Sequence, residues 1–562
     1  MQYDLKITGG SIIDGTGKER FIGDVGISGG KVVALGAAPG DAVETIDATG
    51  RVVCPGFVDI HTHYDAQILW DRMLSISPWH GVTTVVMGNC GFGVAPTRVD
   101  HRDLIVRTLE KVEGMSVAAL EAGMGAEWGF ESFPQYLDTI EKRGSAINVG
   151  AMIGHTPVRL YVMGEEATER PATEAETARM RAIVAEGLAA GAVGFATSHA
   201  LTHIGYGGKP VPSRAAEVAE IRAIAGALGE AGRGVMQATI GPGLMFDEFA
   251  QVARDTGAHV SWTALLAGRL RQGFDHRYQL QRSMELVDQG CPVFPQVTPR
   301  PLNFEFQLSE PFVFESMSLF RPVSAADFEG KKRIYADPAF RQAFRQRMER
   351  AAADMTRGFA QTMISECAID RTLEERTLAD VARERNVHPV DLLLDLGLAT
   401  NLEARFRMAV ANNNEDEVAE LLLNPNMVVG LSDAGAHASQ LCDACQGTYL
   451  LARWVREKQA LSLEQAIRML TSRPAEVFGI GDRGRLAEGW PADVLVLDPN
   501  TVGASPLRRV WDMPGGANRL VSDASGIDAV IVNGTVLRRN GRDALAPDGN
   551  LPGKLLRHGR AG

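Results

Sequence analysis

Hydrophobic and polar positions alternate with period two through the first fifty residues, in YDLKITGGSIIDGTG, GDVGISGGKVVALG and ETIDATGRVVCPG. Successive side chains of a strand face opposite sides. The pattern therefore predicts half-buried antiparallel strands, joined by hairpins at the glycines between the runs. The same texture returns near the other end, in GRLAEGWPADVLVLDP and IDAVIVNGTVLRRNG. The two ends are predicted to pair into one small β domain, residues 1–55 with 481–545, leaving 546–562 as a tail.

Between them the pattern changes to short apolar runs, glycine-rich loops and helical repeats. The predicted strands are Gly56–Ile60, Thr83–Gly88, Ala146–Ile153, Gly191–Thr197, Gly234–Ala238, His259–Thr263, Pro292–Val297 and Met427–Ser432. Amphipathic helical stretches such as TEAETARMRAIVAEGLAAG and RAAEVAEIRAIAGALGEAG separate several of them. Eight strands alternating with helices predict a (β/α)8 barrel over residues 56–480, with the terminal segments forming the small β domain beside it. Pro299 to Ala360 breaks the rhythm with the aromatic run NFEFQLSEPFVFESMSLF and a charged helix. It reads as a lid-like insertion after the seventh strand, since long inserted loops are often functional.

The 562 residues fit one large barrel with an accessory domain. The net charge of −12 is spread along the chain with no basic stripe, which argues against nucleic-acid binding. No apolar run is long enough to span a bilayer, and MQYDLKITGG lacks the features of a signal peptide, so a cytoplasmic protein is expected. The six cysteines show no regular spacing, as in a reducing compartment. The lone CxxC at Cys442 and Cys445 reads as packing.

Active sites of such barrels form at the C-terminal ends of the strands. The first strand ends in GFVDIHTHYD, with His61 and His63 on one face at period two. The second leads to Cys90 in MGNCGFG, the third to His155 in MIGHTP, and the fourth to Ser198 and His199 in FATSHALTH. The fifth ends near Gln237, the sixth near Trp262, and the eighth at Asp433 in VVGLSDAGAH. Two imidazoles, a carboxylate and a thiolate on one rim make a metal site, and this mixture of N, O and S donors suits zinc. Zinc lowers the pKa of a bound water to about 7, and Asp433 is placed to take that proton and pass it to a leaving nitrogen. Bland readings compete. Asp433 can cap the turn before AGAH. Cys90 can be a packed thiol. His203 and His437 read as loop residues. His155, Ser198, His199, Gln237 and Trp262 are assigned to substrate binding.

The motifs PGFVDIHTHYD, GVTTVVMGNCGFGVAP, LSDAGAH, TSRPAEVFGI and GRLAEGWPADVLVLDP resemble the amidohydrolase superfamily, and within it the N-acyl-D-amino-acid deacylase (D-aminoacylase) branch. The resemblance covers nearly the whole chain and implies the same barrel and β sandwich. It implies that His61 and His63 are the strand-one metal pair, that Cys90 ligates zinc, and that Asp433 activates water. Two departures stand out. Gln237 and Trp262 align where the family carries metal-binding histidines, and the arginine that follows the strand-five histidine is absent from QATIG. The expected centre shrinks to one ion on His61, His63, Asp433 and Cys90, with Trp262 as a flat apolar wall suited to a bulkier substrate. The leading expectation is hydrolysis of an N-acyl amino acid or similar small amide by a divalent-metal enzyme, and the family implies a homo-oligomer. The alternatives are hydrolysis of a cyclic amide, lactone or ester, or deamination, on the same fold. From another class comes a metal-free binding or scaffold protein.

Overall fold

The computed structural model describes residues 2–271, 274–315, 317–351 and 353–561. Eight parallel strands form one sheet in sequential order: β1 (Phe57–Asp59), β2 (Val82–Met87), β3 (Asn148–Gly154), β4 (Gly194–Ser198), β5 (Val235–Thr239), β6 (His259–Thr263), β7 (Val293–Val297) and β8 (Val428–Val429). Each overlaps its predicted segment. These strands are covered on both faces, which is why their sequences read as short continuous apolar runs rather than as alternation. The barrel closes just beyond β1 and β8, where Thr62 and Ala434 make a parallel bridge. There Asp433 N–H donates to the His61 carbonyl at 3.1 Å and His63 N–H to the Ala434 carbonyl at 2.7 Å. The seam of the barrel thus joins the two stretches of sequence richest in candidate ligands.

Inside the barrel, Val58, Ile60, Val86, Met152, Ala196 and Val428 pack into a floor, closed from below by Phe478, Ile480 and Leu556. Leu556 belongs to a short hairpin, Leu556–Arg557 with Arg560–Ala561. The segment read as a tail is therefore part of the packed structure. The outward faces pack against helices such as Glu174–Ala190, Val218–Ala231 and Phe246–Thr256.

A nine-stranded sheet takes strands from both chain ends and has its own apolar core. The ends meet where Val52–Pro55 runs antiparallel to Val494–Leu497. Buried Asp493 accepts a 2.7 Å ion pair from Arg483 and a 2.7 Å hydrogen bond from Asn148 of β3, tying this sheet to the barrel.

The insertion after β7 extends past the expected end at residue 360, to Ala411. Leu302–Gln307 pairs antiparallel with Arg405–Ala411, and Met363–Glu366 and Arg376–Thr377 complete a four-stranded sheet. Helices pack on it around a separate core containing Phe306, Phe314, Phe320, Phe344 and Phe406. Its closing strand pairs with a partner about a hundred residues earlier, a contact that local periodicity does not carry. Among the described residues no helix is long and apolar enough to cross a membrane.

Candidate metal centre

His61 and His63 stand two residues apart just past β1, so both rings point into the barrel mouth. Cys90 arrives from the loop after β2. That loop crosses the ends of β3 and β4 so closely that only glycine fits at two points. A Cβ on Gly88 would meet the Met152 carbonyl at 2.2 Å, and one on Gly91 would meet Thr197 Cα at 2.8 Å. Cys90 itself holds a left-handed backbone, φ 56°, which costs a non-glycine residue about 1–3 kcal/mol. Gln237 offsets part of this by accepting the Cys90 N–H at 2.7 Å. Asp65 accepts the Gly88 N–H at 3.1 Å and so braces the same loop.

The result is a cluster. Ligand atoms of His61, His63 and Cys90 all lie within 4.8 Å of one another, and all three residues are buried. Cys90 Sγ is 3.4 Å from His61 Nε2. Asp433 Oδ1 lies 3.3 Å from His61 Nε2 and 3.9 Å from His63 Nε2. The Asp433 side chain is 19% exposed against 1% and 6% for the two histidines, so it marks the open side. Asp433 also has φ 46°, a left-handed conformation that Asp tolerates better than most residues.

Both imidazoles have their other nitrogen engaged. His61 Nδ1 donates to Gln296 Oε1 at 2.8 Å, and Gln296 donates in turn to Ser261 Oγ at 3.0 Å. His63 Nδ1 lies 3.1 Å from Glu113 Oε1. With each Nδ1 placed beside these oxygens, the Nε2 atoms face the cluster, that of His61 toward Cys90 and Asp433 and that of His63 toward Asp433. Partners of this kind fix the tautomer of metal-ligating histidines. Burial pushes both imidazoles down, but Cys90 outweighs it at His61, and Glu113 with Cys90 outweighs it at His63. The His61 ring is therefore held above the usual histidine range and the His63 ring well above it. Burial pushes the Cys90 thiol up, but His61 and His63 pull it down to about 6. Two imidazoles, a thiolate and a carboxylate match the donors of a zinc site, and they are mutually stabilised as charges that a divalent cation would replace.

The other assignments divide. Gln237 points inward, but its amide is spent on Cys90 N–H and on Thr263 Oγ1 at 3.2 Å. Ser198 is inward and bonds His203 Nδ1 at 2.7 Å. His199 turns away, its Nδ1–H donating to the Pro242 carbonyl at 3.0 Å.

Two assignments are corrected. Trp262 does not line the pocket: it is fully buried on the outer face of β6, against Phe246 and Phe249. Ser261 and Thr263 take the inward positions, as their bonds to Gln296 and Gln237 show. A one-residue slip in reading a strand exchanges its faces, and the apolar wall inferred from Trp262 goes with it. His155 is the first residue of the helix His155–Met163 and is fully buried. Its nitrogens bond Thr197 Oγ1 at 2.8 Å and Glu220 Oε1 at 2.9 Å, and Glu220 also pairs with buried Arg159. It is a satisfied core histidine, with no nitrogen left for substrate. Conversely, Glu113 and Gln296 hold the metal-facing rings and carry no motif. A glutamine at an inward position of an otherwise apolar strand is a visible signal for Gln296.

The model of the amidohydrolase family matches residues 44–538. The chain belongs to the amidohydrolase family. It is similar to N-acyl-D-glutamate deacylase of Alcaligenes xylosoxydans xylosoxydans, 30% identical over 99% of this chain and 97% of the relative. It is 27% identical to D-aminoacylase of the same organism, over 95% of this chain and 94% of the relative. Among solved structures, N-acyl-D-glutamate deacylase of Bordetella bronchiseptica, complexed with zinc and a phosphonate mimic of the tetrahedral intermediate, superposes with a TM-score of 0.64. That match is at 27% identity and covers 99% of this chain and 100% of the other. This amidohydrolase falls in the D-aminoacylase-like branch. It is a metal-dependent hydrolase of carbon–nitrogen bonds other than peptide bonds.

Proposed function

We propose that this amidohydrolase deacylates an N-acyl amino acid or a similar small amide, with one zinc ion held by His61, His63, Cys90 and Asp433. What supports the reading is the convergence of His61, His63 and Cys90 within 4.8 Å of one another at the barrel seam, with Asp433 Oδ1 3.3 Å from His61 Nε2 and 3.9 Å from His63 Nε2. The substrate class rests on the acyl-amino-acid relatives. A single ion is supported by the opposite side of the rim. There Gln237 and Thr263 are bonded to each other, and the inward residues of β6 are hydroxyls.

The bound cation supplies Lewis acidity, polarising water and the scissile carbonyl. Asp433 lies on the open side of the cluster, next to both imidazoles. It takes the proton of the attacking water and returns one to the leaving nitrogen as the carbon–nitrogen bond breaks. Cys90 and the histidines stay in place throughout, Cys90 and His61 braced by hydrogen bonds with Gln237 and Gln296 and His63 by its ion pair with Glu113.

A panel of N-acyl-D- and N-acyl-L-amino acids, assayed for free amine with zinc-loaded protein, tests the substrate class. Asp433→Asn is expected to lower turnover by about 10²- to 10⁴-fold, the usual span for general acid–base catalysis, without changing the melting temperature by more than a few degrees. Near-normal turnover in that variant would remove Asp433 from the chemistry.

A further inference from the structure

A third imidazole stands beside the cluster and is wired in the opposite sense. His203 lies in the loop after β4, and its ring packs on Phe92 at 5.1 Å, while Phe92 in turn packs on His63 at 6.4 Å. Its backbone is fixed at both ends: His203 N–H donates to the Ala200 carbonyl at 3.1 Å, and Arg214 donates to the His203 carbonyl at 2.9 Å. Its Nδ1 sits 2.7 Å from Ser198 Oγ.

The direction of that last bond is assigned from what the hydroxyl needs. Ser198 Oγ already accepts the Ala200 N–H at 3.2 Å. A hydroxyl has one hydrogen to give, and the acceptor available to it among the described residues is His203 Nδ1. The tautomer that satisfies the hydroxyl has His203 Nδ1 accepting and the ring hydrogen on Nε2, which has no hydrogen-bond partner among the described residues. In this tautomer His203 offers an N–H from a ring that stands one aromatic layer, Phe92, away from His63. Burial, and then the His437, His63 and His61 rings, push His203 down to about 3 against the opposing pull of Asp433. The ring is therefore neutral, and it feels the field of the whole cluster.

We propose that His203 is a catalytic hydrogen-bond donor, its Nε2–H stabilising the scissile carbonyl oxygen as that oxygen gains negative charge, and that Ser198 is the positioning residue that fixes the donor tautomer. The inference rests on the amide-hydrolase reading above. When the water oxygen bonds to the carbonyl carbon, the π pair moves onto the carbonyl oxygen and the water proton goes to Asp433. When the pair returns, the carbon–nitrogen bond breaks and the nitrogen takes the proton from Asp433. His203 keeps its own proton throughout, since its role is to be stronger for the oxyanion than for the neutral carbonyl.

The test has one arm that needs turnover and one that does not. With the N-acyl amino acid that the zinc-loaded protein hydrolyses fastest, His203→Phe is expected to lower kcat by about 10²- to 10³-fold, as for loss of an oxyanion donor, with KM little changed. A tetrahedral phosphonate analogue should lose affinity in step with kcat/KM. Ser198→Ala is expected to cost roughly tenfold in kcat, with Ser198→Thr restoring it, because a hydroxyl is all the tautomer needs. A rise in KM with kcat unchanged, or unaltered kinetics in His203→Phe, would overturn the assignment. Independently of activity, ¹⁵N spectra of histidine-labelled protein should show His203 neutral with its hydrogen on Nε2, shifting in Ser198→Ala. A hydrogen on Nδ1 would overturn the inference even in an active enzyme. Inactivity of the zinc-loaded wild type on every amide, with the Nε2–H tautomer in place, would instead strike the function proposed above.

Discussion

The two halves of the barrel rim carry similar residues and use them in opposite ways. At the seam, between β8, β1 and β2, the inward atoms of His61, His63, Cys90 and Asp433 have chiefly one another as partners, while their outer atoms are braced by Gln296, Glu113 and Gln237. Across β3 to β6, by contrast, polar side chains satisfy each other within the wall. His155 is closed between Thr197 and Glu220, Gln237 binds Thr263, and Trp262 is packed outside. Residue type alone does not make a site. His155 is as buried as His61, but both its nitrogens are consumed by the wall, whereas His61 and His63 each keep Nε2 facing other candidate ligand atoms. A centre is recognised by donors left over after internal hydrogen bonding is complete.

The sharpest way to break this contrast is to delete one ligand. His63→Ala is expected to leave the protein folded but free of zinc after dialysis, with turnover abolished; elemental analysis beside activity reads both. Retention of zinc at wild-type stoichiometry would show that the seam is not the centre. The next largest effect is expected on the closed half, and on stability alone. Glu220→Ala would strand Arg159 in the core, and breaking such a buried pair costs about 3–5 kcal/mol. Zinc content and kcat of the folded fraction should stay unchanged. Burial pushes the Glu220 carboxyl up, but hydrogen bonds from His155 and Arg159 prevail and hold it at about 2, below its ordinary 4.5. A carboxyl lowered on folding stabilises the native state above its unfolded value. That contribution is therefore lost as pH falls from about 4.5 to 2, and Glu220→Gln should flatten this part of the acid-unfolding curve. Trp262→Ala belongs to the same half. Emptying the space between Phe246 and Phe249 should cost about 3–5 kcal/mol with KM unmoved, and a large change in KM would return this tryptophan to the pocket.

How far the sequence discloses this division depends on what each residue's signal is made of. The eight strands are legible because parallel strands covered on both sides need compact apolar runs, and each run is flanked by glycine. The seam cluster is legible because a His-x-His pair at period two must project to one face, and because GLSDAGAH ends the last strand as GFVDIHTH ends the first. Trp262 is misread because its position comes from the family alignment, whereas the alternation in HVSWT places Ser261 and Thr263 on one face and Trp262 on the other. His155 is misread because the fate of its nitrogens depends on Glu220, 65 residues away on a helix. His203 and Glu113 are hidden for the same reason. Glu113 reads as an ordinary polar position at the end of the amphipathic helix Arg102–Glu113, and its burial comes only from how that helix returns over the barrel mouth.

Glu113 also offers the smallest and most discriminating test, because the two metal-facing rings differ only in what stands behind them. His61 leans on a neutral amide and His63 on a carboxylate. An anion behind an imidazole makes it a more basic ligand, and outer partners of this kind are worth about 10- to 100-fold in metal affinity. Glu113→Gln keeps the shape and an acceptor oxygen while removing the charge. Zinc affinity, measured by competition with a chelator, is expected to fall toward the lower end of that range, with stoichiometry unchanged. The loss should narrow as pH falls, since Glu113 raises the proton affinity of His63 as well as its metal affinity, and the variant's ring meets weaker competition from protons. If Glu113→Gln binds zinc as tightly as the parent protein, the carboxylate serves packing alone. The two halves of the rim would then differ in geometry but not in electrostatic tuning.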